Sequence, residues 1–388
     1  MTTPPLEFRR SALTWLLYSM LGWYAYGQAA ITPLMPLLRR DLDLSFTISS
    51  LHPAAFALGM ISAGLLGDRA ARQLGMRGVF WGGTFGMALG MLLLTVGTAA
   101  PLTITAAYLM GLAGTLSMIS IQTSLVVLHG RSSPIALTES NIVASFTAAV
   151  VPLAVGVFEG SGQWRGALLI APLVWAALFM WQGRAALPSR PSAKRSASGS
   201  LPIVVWLYLA AIFAAGGVEW GAWLFAADYL IITVGLDAAS AASMIALFPL
   251  GALSGRILLS RLLHRRTPQS LLPYTMLLVF VRFPLFYVPS PLIVKGAGLF
   301  LMGVGGSGFF PLAVAAVTSA AGPHFGRASA YVPLASGAAI LINPPLLGSV
   351  ADAVGLSTAY VIVPTLALIT LWVITLANAQ HSRAQQDD

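Results

Sequence analysis

The 388-residue sequence contains no cysteine, which excludes a disulfide framework, a thiolate metal site and a cysteine nucleophile together. Charge is almost as scarce. Only 9% of residues are charged, whereas a soluble domain carries roughly a quarter; 57% are hydrophobic and the mean hydropathy is +0.83. Such a chain cannot be an ordinary water-soluble domain, so the bilayer is its solvent. Acids are the rarer sign, 12 against 21 Lys and Arg. The five histidines, His52, His129, His264, His324 and His381, show no ligand spacing with carboxylates, and no metal or other cofactor is expected. No Gly-x-x-x-x-Gly-Lys-Ser/Thr run exists, and the glycine-rich Gly303 to Phe310 lies inside a hydrophobic run, where it suits helix packing better than phosphate. ATP-driven chemistry is therefore not expected. The net charge of +9 would suit nucleic acid, but the basic residues are scattered among short loops without stacking aromatics, so no nucleic-acid partner is expected.

Hydrophobic runs are what the sequence does have. They fall near 11–38, 48–67, 78–98, 101–128, 135–158, 164–183, 203–234, 239–260, 270–289, 291–318, 325–350 and 355–378, each long enough to span about 30 Å of hydrocarbon. The first is too long for a signal-peptide core and reads as a span. Between the sixth and seventh runs, Arg184 to Pro202 is rich in Pro, Ser and Ala, carries four positive charges and no acid, and cannot bury a core. The expected fold is therefore an all-α integral membrane protein of twelve spans, as a bundle over 1–183, a basic linker over 184–202 and a second bundle over 203–388. With both termini in the cytoplasm, 16 of the 21 basic residues fall on the cytoplasmic side, as the positive-inside rule requires. The bacterial inner membrane is the expected location.

The two halves echo each other. Gly64 to Arg77 follows the second run and Gly251 to Arg266 the eighth, with Arg69 aligned on Arg256. Late in the fifth run Pro152 precedes Glu159 by seven residues, and late in the eleventh Pro345 precedes Asp352 by seven. A six-plus-six duplication is a transporter signature.

On these residues the sequence resembles the major facilitator superfamily. Gly64, Leu66, Asp68, Arg69 and Arg72 occupy the family's Gly-x-Leu-x-Asp-Arg-x-x-Arg pattern after span 2. A finer similarity to fucose-permease-like and drug-efflux-like bacterial members rests on Leu137 to Asn141, Val218 to Leu230 and Ile342 to Asp352. Two features depart from proton-driven drug antiporters: Ala107 and Tyr108 stand where span 4 often has an arginine, and only Pro152 and Gly156 survive of the span 5 motif. The resemblance implies a cavity formed by spans 1, 4, 7 and 10, a moving interface at spans 2, 5, 8 and 11, and a cytoplasmic latch at Asp68, Arg69 and Arg72. A monomer is the expected unit.

Ionisable groups inside spans are functional candidates because each costs at least about 2.5–3.5 kcal/mol on insertion scales. Glu219 lies about 24 Å along span 7, where a carboxyl can exchange a proton with a cavity or hold a substrate. Glu139, one turn into span 5, is a second proton-coupling candidate, or else caps its helix or pairs with Arg131. Arg282 and Lys295, in the outer half, are expected to snorkel to the interface; an inward-facing Arg282 would instead pair with Asp228 as an outer gate. Trp223 shares a helix face with Glu219, making an acid-plus-aromatic wall suited to sugar rings or organic cations. Tyr26, Gln28, Gln122 and Asn343 complete the candidate substrate contacts.

The function expected is secondary active transport of a small organic solute by alternating access, coupled to protons, with lipid as the surrounding medium. An amphipathic drug exporter, a lipid flippase of the same fold and a proton-independent uniporter are the alternatives. Without a nucleophile, metal or acid-base pair, an enzyme is not expected.

Overall fold

A computed structural model describes residues 9–188 and 200–387; Arg190, Lys194 and Arg195 of the expected linker lie outside them. Among the described residues every regular element is helical. Helix α1 (Ala12–Leu42) opens on a capping box, with Ser11 Oγ accepting from Thr14 N and Thr14 Oγ1 from Ser11 N. Helix α2 (Phe46–Val96) counts 51 residues, far more than one crossing of about 20 residues needs. Gly75 divides it at a φ of +68°, a conformation that strains residues bearing a side chain. On either side of this break, Gly59 presses on Tyr108 and Leu112, and Gly83 on Ala113 and Ser117. Both limbs therefore lie against one stretch of α3 (Ala100–His129), and α2 is two spans folded back on each other. Helices α4 (Ser133–Gly160) and α5 (Gly166–Gln182) complete the first six crossings.

The second half is more broken. Its crossings are α6 (Ile203–Leu224) continued by α7 (Ala226–Tyr229) and a π turn, α8 (Ala238–Met244) with α9 (Leu247–Leu262), α10 (Pro268–Tyr287), α11 (Leu292–Gly306) with α12 (Phe309–Ala321), α13 (Phe325–Val354), and α14 (Leu356–Ala359) with α15 (Ile362–Asp387). Interruptions of this kind are tolerated at membrane depth where neighbouring protein or a cavity satisfies the backbone.

A shared backbone contact relates the halves. Gly59 meets the carbonyl of Tyr108 while Gly111 meets that of Phe56; Gly251 meets the carbonyl of Phe300 while Gly303 meets that of Phe248. Each of the four positions in the first set recurs 192 residues later in the second. In both halves the approach leaves no room for a Cβ, which is how small residues hold membrane helices together where lipid supplies no hydrophobic drive. The duplication expected from the sequence is thus present as matched α2·α3 and α9·α11 clasps.

Between the halves, α2 packs on α13 and α4 on α8 and α9. Most of the polar ties lie at the face opposite the linker. Asp352 of α13 accepts from Phe46 N and Thr47 N, both at 2.8 Å, and from Thr47 Oγ1 at 2.5 Å, satisfying the first amides of α2 from across the interface. Gly348 packs on the Phe46 carbonyl, and Gly156 of α4 on Ala239 and Ser243 of α8. This rim is closed.

Candidate functional site

Glu219 projects from α6 five residues before the helix ends at Leu224. The residue is exposed, yet what it faces is an internal cavity of about 240 Å³, whose wall includes Gln28 of α1, Ser145 of α4, Trp220 and Trp223 of α6, and Phe248 and Arg256 of α9. Trp223 stacks on Phe248, ring centroids 6.0 Å apart and planes 12° from parallel, and its indole Nε1 has no hydrogen-bond partner among the described residues. Ser145, Leu253 and Arg256 also line a larger cavity of about 590 Å³, bounded by Leu137, Thr138 and Asn141 of α4 and by Phe310 and Pro311 of α12. The two chambers therefore meet at a neck where Arg256 Nη1 donates to Ser145 Oγ at 2.5 Å. This path leads from Glu219 toward the linker face, while the opposite rim is shut.

Glu219 has no hydrogen bond or ion pair among the described residues; Arg256 acts on it electrostatically. A carboxyl on a cavity with aromatic walls and one cation nearby can take up a proton, hold a cationic group or accept hydrogen bonds from hydroxyls. Of the five candidate substrate contacts, the structure brings Gln28 and Trp223 to Glu219 and leaves three elsewhere. Tyr26 is buried and donates its hydroxyl to the Ala167 carbonyl at 2.6 Å. Asn343 donates to Ala339 O of its own helix at 2.9 Å and packs on Gly217. Gln122 is half-buried and does not line the cavity that holds Glu219.

The charged candidates are rearranged too. Asp228 is fully buried and pairs with Arg39 of α1, not with Arg282. The Arg39 guanidinium also lies 3.9 Å from the Phe46 ring centroid, so one arginine joins α1, α2 and α7. Arg282 is exposed on α10 and forms no part of this contact, because the bundle turns Asp228 toward the other half. Lys295 does not snorkel: it is 3% exposed, and Nζ donates to Phe286 O at 2.8 Å and Val288 O at 2.9 Å. The open carbonyls at the end of α10 are nearer than the interface and take the cation. Glu139 pairs with Arg10, not Arg131; Arg10 Nε donates at 2.8 Å and the Tyr18 hydroxyl at 3.1 Å. That cluster braces α1 against α4 and stands apart from the Glu219 cavity. Asp68, Arg69 and Arg72 are exposed near the Gly75 turn.

The sequence does not single out Arg256, Ser145 or Phe248 as contacts. Arg256 reads there as a topology charge, and the alignment that sets it over Arg69 does not hold: at the 192-residue spacing of the glycine clasps Arg69 falls on Arg261 and Arg256 on Gly64.

The Major Facilitator Superfamily model matches residues 17–297. This chain belongs to that superfamily. No curated protein matches the sequence, and the solved structures it resembles are distant in sequence. A mutant of the nucleoside transporter NupG superposes with a TM-score of 0.79 at 13% identity, covering 94% of this chain and 99% of that one. The D-xylose-proton symporter gives 0.75 at 14%, covering 93% and 96%. A bacterial homologue of the human lysosomal transporter Spinster, inward-facing and occupied, gives 0.74 at 15%, covering 97% of each chain. At such identities the likeness establishes the fold, and with the family it establishes an integral membrane transporter, not an enzyme.

Proposed function

We propose that this superfamily member is a proton-coupled secondary transporter that moves a small organic solute by alternating access, with Glu219 as the proton-bearing group. The bundles over 1–183 and 203–388, joined by the linker over 184–202, rock about the Glu219 cavity. The charge bias sets the linker and both termini in the cytoplasm of a bacterial inner membrane, so the described state is open inward and closed outward, and the working unit is a monomer. Asp68, Arg69 and Arg72 latch the inner face when the transporter turns outward.

One observation carries this reading: Glu219, exposed as a residue, lines a cavity that shares Ser145, Leu253 and Arg256 with the linker-side chamber, and it is committed to no ion pair among the described residues. A protonated carboxyl is tolerated in such a site, and once it ionises Arg256 supplies a counter-charge. The Asp228–Arg39 pair at the closed rim is already neutralised and serves the gate instead.

The test uses purified protein in liposomes loaded with a pH dye, with uridine and D-xylose as first solutes. A transported solute should carry protons inward with it. Glu219→Gln should abolish gradient-driven accumulation and keep solute exchange. Accumulation that ignores the pH gradient, together with unaltered transport by Glu219→Gln, would establish a uniporter.

A further inference from the structure

Behind the polar cavity lies a chamber of different character. It has a volume of about 180 Å³ and lies wholly within the second half, among Ile212, Val218, Met276, Val279, Met302 and Phe309. Among the described residues, Glu219 and Ser336 are the only charged or hydroxyl-bearing side chains on its wall, and the Ser336 hydroxyl has no hydrogen-bond partner there. Glu219, Trp220, Phe248 and Ile340 line this chamber and the polar one alike, so a molecule beside Glu219 has an apolar recess directly against it.

Size and lining suggest what the recess takes. An apolar cavity of about 150 Å³ accommodates benzene, and a stable buried water needs two to four polar partners, which this wall does not offer away from Glu219 and Ser336. We infer that the chamber is an apolar subsite of the transport cavity, holding a phenyl-sized ring or branched alkyl group while the polar remainder of the same solute lies between Glu219, Gln28 and Arg256. The transported solute is then amphipathic, with one compact apolar end. This rests on the reading of the Glu219 cavity as the solute path. The chamber sits where α11 breaks from α12, so Gly306 closes it at the break: a Cβ placed there meets nothing within 4 Å, and a larger side chain would enter the chamber without displacing backbone.

The absence of native cysteine gives a direct test. In Gly306→Cys the new thiolate attacks the thiol-side sulfur of a methanethiosulfonate reagent, forming a mixed disulfide and releasing methanesulfinate. Benzyl, trimethylammonium-ethyl and sulfonatoethyl reagents are compared, with Thr358→Cys, at an exposed position of α14, as the reference for intrinsic reactivity. Relative to that reference, the benzyl reagent should be favoured at position 306 by tenfold or more over both charged reagents. Phenol at millimolar concentration should slow benzyl labelling several-fold, and glycerol should not. Ser336→Cys, a near-isosteric change elsewhere on the wall, should show the same preference and guards against misfolding of the first variant. Equal reagent ranking at the chamber and reference positions, or labelling indifferent to phenol, overturns the subsite. Labelling reads neither transport nor proton movement. Loss of the benzyl preference with Glu219→Gln still uncoupled therefore sinks the subsite alone, and a retained preference with normal coupling in Glu219→Gln sinks the proton reading alone.

Discussion

On the alternating-access cycle proposed above, Asp352→Ala should tilt the conformational balance toward the outward-open state, and the size of the effect follows from its contacts. The carboxylate receives two backbone amides and one hydroxyl from the first turn of α2, and these bonds join the two halves at the closed rim opposite the linker. Hydrogen bonds to a charged group contribute about 1.5–3 kcal/mol each when shielded, and an exposed helix cap about 1 kcal/mol. Asp352 is exposed, so water replaces much of what is lost and about 2 kcal/mol is a fair net value. That is roughly a thirtyfold change in the equilibrium constant; an outward-open fraction of about 1% would rise to about 20–25%. Spin labels at Gln163→Cys and Thr358→Cys, exposed positions on the two halves at that rim, report the opening as a longer distance peak by pulsed electron resonance. Arg40→Ala is the control, because its partner Glu159, at 2.7 Å, belongs to the same half; it should leave the distribution unchanged. A distribution for Asp352→Ala identical to that of the wild type would refute the assignment of this contact to the gate.

Three further outcomes are expected. Arg39→Ala strands a fully buried carboxylate and should destabilise the protein by about 3–5 kcal/mol, read as a lower Tm, with Asp228→Asn in the same chain restoring part of the loss. Tyr26→Phe removes one interhelical hydrogen bond at 2.6 Å and should lower stability by about 1 kcal/mol while leaving solute affinity intact; a large affinity loss would return Tyr26 to the binding site. Glu219→Gln should convert accumulation into exchange, measured as loss of solute-evoked proton entry with counterflow retained.

The spans are legible in the sequence because their length is dictated by the bilayer. The gap between the second and third is legible as the charged stretch Asp68 to Arg77, but the sequence does not reveal that helix continues through it on both sides of Gly75, because a helix end standing clear of the bilayer carries polar residues as readily as a loop does. Glu219 is legible because a lone carboxyl in an apolar run is expensive. Pairing is not. Asp228 meets Arg39 instead of Arg282, and Glu139 meets Arg10 instead of Arg131, because the partner of a charge is chosen by which helices the fold sets side by side, and nearness in a linear map carries little of that. Arg256 is hidden for the same reason: a cation at a helix end satisfies the topology rule whether it faces headgroups or a cavity. The four positions that recur at a spacing of 192 residues are equally silent, since a glycine does not announce which carbonyl lies against it.

Those glycine clasps have an evolutionary consequence. Within each half, helices meet backbone to backbone at the clasps, and any residue larger than glycine must push them apart; between the halves, close approaches at Gly156 and Gly348 stand beside side-chain joints such as Asp352 and the Arg39–Asp228 pair, which can be swapped one at a time. In the proposed cycle, selection can therefore retune how long the molecule dwells in each posture through surface joints such as Asp352, leaving the interior of each half untouched.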